Sequence, residues 1–172
     1  TVQRIIVELG PLDALVNNAG YGLAGPIEEL EREQVAAVFE TNVFAVLHLF
    51  QVVMPQMRAK RFGTIVNVGS IAGQVAVPGE GAYCASKFAL HGLTRSMRME
   101  AASFGVRVVL VEPGEIKTNF AKNTVWGTRR FAEESPYASV THETAIRRKV
   151  REMVARGADP VAMRIRQIVE SR

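Results

Sequence analysis

The chain has 172 residues, of which 48% are hydrophobic, and a formal net charge of +4, so it can form one domain with a sizeable core. Its single cysteine, Cys84, excludes an internal disulfide framework. No stretch reaches the roughly 18 uncharged apolar residues of a membrane span, and the opening residues do not resemble a secretory signal. These features predict a soluble, cytoplasmic protein without a membrane span.

Three short runs of apolar, β-branched residues predict strands: Leu12–Val16, Thr64–Val68 and Val106–Val111. Each is nearly all apolar rather than alternating, which is typical of strands covered on both faces of a parallel sheet. Between them, Ile27–Met57 and Ala82–Phe104 carry apolar residues at a helical spacing, and Gly105 follows at a helix C-cap position. The alternation of strands and helices predicts an α/β fold with a doubly wound parallel sheet.

The chain beyond Gly114 is less regular. Residues 119–144 hold aromatic side chains among polar ones without a sustained period, which predicts a mobile segment that covers a site. Ala145–Ala155 predicts a helix. A final helix is expected to begin with Asp159 as its N-cap and Pro160 in its first turn, and to end near Glu170.

From Arg147 onward the chain is rich in arginine and lysine. A basic tail can contact nucleic acid or an anionic membrane. Here, however, the basic residues alternate with Ile, Val and Met, and few aromatic residues lie among them. This pattern favours a solvated helix face, so we expect no nucleic-acid partner.

Tyr83 and Lys87 are the residues best suited to catalysis. Their i, i+4 spacing places both side chains on one helix face. A free tyrosine has a pKa of about 10 and is a poor base near neutrality, but an adjacent ammonium favours the phenolate. Ser70, which follows the second strand, could hydrogen-bond the oxygen that Tyr83 protonates or deprotonates. The three side chains suit the interconversion of a carbonyl and an alcohol, with a cofactor carrying the hydride.

Each predicted strand ends in small or polar residues. Asn17-Asn18-Ala19-Gly20 follows the first strand, Gly69-Ser70 the second, and Glu112-Pro113-Gly114 the third. Ligands of open parallel sheets bind beyond the carboxyl ends of the strands. The three exits therefore predict the floor of a ligand site.

The order of these motifs closely resembles that of the classical short-chain dehydrogenase/reductase family. Asn-Asn-Ala-Gly, Asn42, Ser70, Tyr-x-x-x-Lys and Pro-Gly follow one another at the family's spacing. The resemblance covers Leu9–Asn119, and Asp159–Glu170 looks like the family's last helix. It implies a Rossmann-like fold and an NAD(P)-dependent oxidoreductase that interconverts a secondary alcohol and a ketone or aldehyde.

The resemblance also implies a role for each catalytic residue. Tyr83 is implied as the acid/base and Ser70 as the group that orients the substrate oxygen. Lys87 is implied to lower the pKa of Tyr83 and to hydrogen-bond the nicotinamide ribose. Asn42 resembles the helix residue that holds a water in a proton relay to Lys87, although an ordinary helix polar residue is the alternative.

Two further segments resemble the family's cofactor-binding segments, with NAD or NADP as the implied cofactor. Asn17, Ala19 and Gly20 would line the adenosine-ribose side, or stabilise the sheet. Pro113-Gly114-Glu115-Ile116-Lys117-Thr118 resembles the segment that meets the nicotinamide carboxamide. There the implied contacts are the Ile116 backbone and the Thr118 hydroxyl, with a helix cap as the alternative for Thr118.

Some of the family's features do not occur in this sequence. These are the opening strand, the glycine-rich turn Thr-Gly-x-x-x-Gly-x-Gly, the residue that distinguishes NAD from NADP, and the last strand. We therefore interpret residues 1–172 as the C-terminal catalytic part of one Rossmann-like domain, incomplete at both ends, with 119–150 covering the substrate. We expect little cofactor affinity for this chain alone and an apolar sheet edge at Leu12–Val16.

Other features of the sequence suggest a substrate and a partner. Gly22–Glu29 and Phe39–Phe50 resemble the hydroxysteroid/retinol dehydrogenase-like branch and acyl-dihydroxyacetone-phosphate reductases. The two long helices correspond to those that commonly form the family's dimer seam, which implies a homo-oligomer. A lipophilic small-molecule substrate is suggested by the aromatic residues Phe120, Trp126, Phe131 and Tyr137. The outward stripe of the helices is expected to be Phe44, Leu47, Leu90 and Met97, some of which could instead belong to the core.

Three other possibilities compete with this interpretation. A non-catalytic dehydrogenase-like module for oligomerisation or regulation is the main alternative. A metal site is not expected because His48, His91 and His142 have no ligand spacing. Ser70 lacks a Gly-x-Ser-x-Gly elbow, which argues against a hydrolase, and Cys84 is expected to be a buried structural thiol.

Overall fold

The computed structural model describes residues 2–129 and 134–171, so Phe131 lies outside the described residues. The strands are β1 (Ala14–Asn17), β2 (Leu23–Ala24), β3 (Gly63–Val68), β4 (Val106–Val111) and β5 (Val125–Trp126). The α-helices are α1 (Val2–Leu9), α2 (Arg32–Phe39), α3 (Ala45–Lys60), α4 (Gly81–Ala102), α5 (Ala138–Val154) and α6 (Asp159–Glu170). Short 3₁₀ turns span Ile27–Glu29 and Ile71–Gly73.

The parallel sheet predicted from the apolar runs is confirmed. Its strand order is β1-β3-β4, and the register aligns Leu15 with Ile65 and Ile65 with Val108. The central strand β3 is buried at every residue except Val68, which is half-buried. This explains why it is apolar without alternation, since helices and strands cover both of its faces and edges.

The first long helical segment differs from the prediction at its start. Ile27–Glu29 forms a 3₁₀ turn, and the helix begins at Arg32 after Glu31, whose backbone N–H donates to the Gln34 side chain. The helical path then passes through a π-helical turn, Glu40–Phe44, into α3. The reciprocal capping of Glu31 and Gln34 favours a helix that begins at Arg32, although the helical spacing of apolar residues already begins at Ile27.

This continuous helix, Arg32–Lys60, is long and apolar enough to cross a membrane by length and composition alone, with a window mean hydropathy of 1.6. A core helix of an α/β protein has the same composition. Val53 and Met57 are fully buried and pack against the sheet with Ile65 and Val108. The packing therefore accounts for the apolar character of the helix. Its length and hydropathy are only weak evidence for a membrane span.

The second long helix, α4, covers the same sheet. Leu90 and Met97 are both buried, so the prediction that they lie on an outward stripe is wrong. Phe44 is 51% exposed and Leu47 packs against the core cluster. After α4 the chain reverses at Gly105, whose φ of +70° suits glycine, and an added Cβ there would lie 2.5 Å from the carbonyl oxygen of Arg61.

The region beyond β4 is more regular than predicted. β5 pairs in parallel with β2, and α5 begins at Ala138 rather than at Ala145. The last helix ends at Glu170 as predicted, but its N-cap residue is Ala158 and Asp159 lies within the first turn, where its carboxylate favours the helix dipole. Pairing of β5 with a distant strand is a tertiary contact that no local periodicity encodes.

Candidate active site

A cavity of about 790 Å³ opens where the strands of the sheet end, as predicted for a parallel sheet. Ile71, Val75, Phe120 and α6 supply much of its apolar wall. The cavity is within the usual size range of small-molecule sites. The predicted site residues that line it are Gly20, Ser70, Tyr83, Lys87, Pro113, Gly114, Ile116 and Thr118.

Tyr83 and Lys87 lie side by side in the first turns of α4, facing this cavity. They are 8% and 5% exposed, and the Lys87 ammonium is 6.0 Å from the centre of the Tyr83 ring. Lys87 Nζ donates to the carbonyl oxygen of Val68 at 3.0 Å, at the end of β3. An ammonium has three donors, so this bond leaves donors of Lys87 for a ligand in the cavity.

Burial governs the pKa of both groups. It raises the pKa of Tyr83 to about 12, although a hydrogen bond with Ser70 acts to lower it and the charge of Glu80 raises it further. Burial also lowers the pKa of Lys87 to about 8. The expected lowering of the Tyr83 pKa by Lys87 is therefore not found, because burial disfavours the charged form of each group.

Ser70 follows β3 after one intervening residue, Gly69, and has extended backbone. Its hydroxyl oxygen accepts a hydrogen bond from the backbone N–H of Ala72 at 3.1 Å, which begins the turn Ile71–Gly73. The same side chain interacts with the Tyr83 phenol. The structure thus brings Ser70, Tyr83 and Lys87 together at one wall of the cavity.

Asn42 is buried and lies in the π-helical turn below the cavity floor. Its amide spans the backbone of Tyr21, accepting from the N–H at 3.2 Å and donating to the carbonyl at 3.0 Å, and it also donates to the Ser86 hydroxyl at 3.0 Å. Asn42 does not line the cavity. Its visible role is to hold the loop after β1 against α4.

The loop after β1 contributes one predicted cofactor position to the cavity and not the other two. Gly20 lines it, and an added Cβ there would lie 3.0 Å from Asn42 Oδ1 and 3.7 Å from Lys87 Nζ. Ala19 is exposed and outside the lining, whereas Asn17 is buried and donates to Asn67 Oδ1 at 2.8 Å. Asn17 therefore stabilises the sheet, which was the alternative for this segment, and Asn18 lines the cavity in its place.

Ile116, in the segment after β4, lines the cavity. Ile116 forms a parallel bridge with Arg156, in which Lys117 N–H donates to the Arg156 carbonyl and Arg156 N–H donates to the Glu115 carbonyl. In a parallel ladder, the residue between two such bonds directs its own N–H and C=O away from the partner strand. Thr118 caps its own turn by accepting from the N–H of Phe120 at 3.1 Å.

Sequence reasoning missed a buried ionic cluster at the edge of the cavity. Glu80, only 4% exposed, receives Arg148 at 2.9 Å and Arg151 at 2.7 Å, and Arg151 also reaches Glu115 at 3.2 Å. The two arginines were expected on a solvated face. The spacing of Arg148 and Arg151 on one side of α5 was the available signal, but their partner is distant in the chain.

Other predictions concern the surroundings of the site. Cys84 is buried and free, as expected, and burial raises the pKa of its thiol. Among the described residues, no group of histidine, cysteine and acidic side chains could hold a metal ion. Of the aromatic residues proposed to meet the substrate, Phe120 contacts the Tyr83 ring with centroids 5.5 Å apart, whereas Trp126 and Tyr137 do not line the cavity.

A sequence profile of the short chain dehydrogenase family matches residues 1–127, which include the sheet, Ser70, Tyr83 and Lys87. The chain belongs to the short-chain dehydrogenase family. The match ends shortly after β5, so α5 and α6 lie outside the segment that identifies the family.

Named relatives agree with the predicted branch. The chain is 41% identical over 122 residues to 3-ketodihydrosphingosine reductase of Bacteroides thetaiotaomicron, covering 71% of this chain and 45% of the relative. It is 39% identical over 116 residues to human 17-beta-hydroxysteroid dehydrogenase type 1, covering 67% and 35%. The chain therefore spans about half the length, or less, of these relatives.

Solved structures extend the similarity to the whole chain. A short-chain dehydrogenase from Streptomyces avermitilis superimposes with a TM-score of 0.84 at 32% identity, covering 99% of this chain and 60% of that one. NAD⁺-bound xylitol dehydrogenase gives a TM-score of 0.75 at 26% identity, covering 99% and 66%. The Rossmann-like α/β fold is thereby confirmed, and it includes α5 and α6.

Proposed function

We propose that the protein carrying this chain is an NAD(P)-dependent oxidoreductase that interconverts a secondary alcohol and a ketone or aldehyde. The observation that carries the proposal is the meeting of Ser70, Tyr83 and Lys87 at one wall of a cavity beyond the strand ends. One hydroxyl is placed to polarise an oxygen and another to move its proton, beside a buried amine. This is the arrangement that acid/base catalysis at a carbonyl requires.

The residues present fit a nicotinamide cofactor, which supplies or accepts the hydride when it is bound. Gly20 leaves open the space between the loop after β1 and Lys87, where a side chain would meet Asn42. Lys87 retains donors for ribose hydroxyls, and the Ile116 backbone is turned away from its bridge to Arg156. A solved structure with the same fold, xylitol dehydrogenase, holds NAD⁺, which supports NAD or NADP as the cofactor.

Tyr83 and Lys87 would transfer the proton to or from the substrate oxygen. For reduction, Tyr83 is already protonated, because its pKa is about 12, and its hydroxyl can donate to a substrate oxygen that Ser70 also binds. Lys87 loses its proton far more readily, since its pKa is about 8. Tyr83 can thus donate a proton, and Lys87 beside it can exchange one. For oxidation, the positive charge of a bound oxidised nicotinamide would favour the phenolate form of Tyr83.

A lipophilic substrate suits the cavity wall. Ile71, Val75 and Phe120 line the cavity, Phe120 in contact with the Tyr83 ring, and α6 adds further apolar residues. The named relatives act, by their names, on a ketodihydrosphingosine and on a hydroxysteroid. We further propose that the protein is cytoplasmic and forms a homo-oligomer in which Phe44, exposed on the helical path into α3, is covered by another copy.

The test is Tyr83→Phe in the full-length protein that carries this chain, assayed as NADH- or NADPH-dependent reduction of lipophilic ketones. Loss of the phenolic hydroxyl is expected to reduce kcat by about 10²- to 10⁴-fold, the usual contribution of a positioned acid. Lys87→Met should also reduce kcat, whereas the exposed Lys122→Met is the matched control and should retain the parent rate. A Tyr83→Phe variant as active as the parent would overturn the proposal and favour a non-catalytic module.

A further inference from the structure

His91 lies two helical turns after Tyr83 on α4 and is 6% exposed. It is not part of the cavity lining, and the proposed chemistry does not use it. Its imidazole instead contacts the underside of the turn that carries Ser70. A buried polar ring at this position calls for a physical role, because burial of a polar group without a hydrogen bond is costly.

The ring touches the backbone on both sides of Ser70. A Cβ added to Gly73 would lie 2.4 Å from His91 Nε2, and one added to Gly69 would lie 3.1 Å from the same atom. Real Cβ atoms essentially never approach a heavy atom as closely as the first distance. The turn therefore rests directly on the imidazole, with glycines at its two points of contact.

Glu112 approaches the same ring nitrogen. His91 Nε2 lies 3.2 Å from Glu112 Oε1, in a geometry that does not make a hydrogen bond, and is a buried atom without a hydrogen-bond partner. Gln74, which ends the same turn, donates its side-chain N–H to Glu112 Oε1 at 2.5 Å. The carboxylate thus links the end of the Ser70 turn to the imidazole below it.

Backbone hydrogen bonds fix the turn along its upper edge. Gly69 N–H donates to the Val111 carbonyl at 2.8 Å, and Ile71 N–H donates to the Pro113 carbonyl at 3.2 Å. These bonds join the turn to the end of β4 but do not set its distance from α4. Toward α4, Val68 just before the turn accepts from Lys87 Nζ, and the turn itself contacts the His91 ring.

We propose that His91 is a positioning residue for Ser70: its imidazole, seated between Gly69, Gly73 and Glu112, sets the distance of the Ser70 hydroxyl from Tyr83. This inference rests on the proposed function. A displacement of about 1 Å at a catalytic group can reduce a rate by about 10²-fold. The packing of the two glycines against the imidazole blocks such a displacement of the turn toward α4 while the ring is in place.

The test combines Gly73→Ala with His91→Ala. Gly73→Ala forces the turn away from the ring and is expected to reduce kcat by about 10²-fold with little change in KM. His91→Ala removes the support and is expected to reduce kcat by about 10-fold. Since both variants act through one contact, the double variant should be no slower than Gly73→Ala alone. Effects that multiply in the double variant would overturn the proposal.

Gly92→Ala is the matched control. Gly92 is the neighbour of His91 on α4, and an added Cβ there meets nothing within 4 Å. This variant should keep the parent kcat, because alanine favours a helix. An equal loss in Gly92→Ala would show a general effect of alanine in this region and would also overturn the proposal.

Hydrogen exchange supplies a measurement that does not depend on catalysis. In His91→Ala the amides of Ile71 and Gly73 should exchange at least 10-fold faster than in the parent, while Ile65 in β3 stays protected. Unchanged exchange at Ile71 and Gly73 would overturn the inference even if the enzyme is active. If the full-length protein that carries this chain were inactive while exchange in His91→Ala were faster, the proposed function would be overturned but the support of the turn by His91 would stand.

Discussion

Two regions next to the cavity are held in place by different interactions. The floor, consisting of the strand ends and α4, is fixed by buried amides and hydroxyls: Asn17 donates to Asn67, and Asn67 donates to Thr94 at 3.0 Å. The segment predicted to cover the substrate, called the cover below (described residues 119–129 and 134–150), lines the cavity only through Phe120. Besides the pairing of β5 with β2, it is attached through charged groups. Arg148 reaches Glu80, Ser135 donates to Glu29 at 2.6 Å, and Thr128 donates to Glu31 at 2.8 Å.

The two kinds of interaction differ in how strictly they fix the positions of the groups they join. Neutral hydrogen bonds in a dry interior depend on fixed geometry, so they hold Ser70 and Tyr83 in one arrangement. In the cover, the bond from Thr128 to Glu31 is exposed and tolerates other geometries, whereas Glu80 is buried with its arginines. The family profile ends at residue 127, within the cover.

Asn67→Ala is the strongest test of the floor. Asn67 is fully buried and bonds to both Asn17 and Thr94, so its loss leaves the Asn17 amide without its partner and opens a cavity. We expect the free energy of unfolding to fall by about 4 kcal/mol, measured by urea denaturation. The exposed Asn123→Ala is the control, and a loss below about 1 kcal/mol in Asn67→Ala would show that the buried amides do not hold the floor.

Glu80→Gln is the corresponding test of the cover. It leaves Arg148 and Arg151 without their shared carboxylate, and we expect a loss of about 3 kcal/mol, the lower end for buried pairs because Arg151 is 33% exposed. Protease cleavage should increase within residues 119–150 and not in β3. Equal cleavage in both regions would mean that floor and cover unfold as one unit.

The pH dependence of stability tests the burial of Lys87. Its pKa is about 8 in the folded chain and 10.5 when unperturbed, so between these values the unfolded state binds more protons and stability rises with pH. We expect the free energy of unfolding, measured by urea denaturation, to increase by about 2 kcal/mol between pH 8 and 9.5. Lys87→Met should remove most of this rise and Lys122→Met should not, and a flat parent profile would contradict the burial of the ammonium.

The smallest effect is expected at the outer surface of α5. Glu143 pairs with Arg147 at 3.0 Å and is 66% exposed, so Glu143→Gln should change the free energy of unfolding by less than about 0.5 kcal/mol. Because it lies on the same helix as Arg148 and Arg151, it is also the matched control for Glu80→Gln. A cost equal to that of Glu80→Gln would remove the distinction between buried and exposed attachments of the cover.

Sequence alone determined the floor of this protein. Apolar runs without alternation located β1, β3 and β4 to within two residues, and the order of Ser70, Tyr83 and Lys87 placed the candidate chemistry at the strand ends. These features are local or follow from the handedness of parallel crossovers, so periodicity and spacing are enough to find them.

The tertiary structure decided what depends on distant partners. Glu80 gains its arginines from α5, and β5 pairs with β2. His91, an isolated histidine in the sequence, lies under the Ser70 turn only because α4 packs beside β3 and β4. Burial also overrode the expected effect of Lys87 on Tyr83, since the dielectric environment of a pair is set by everything packed around it and not by its spacing on a helix.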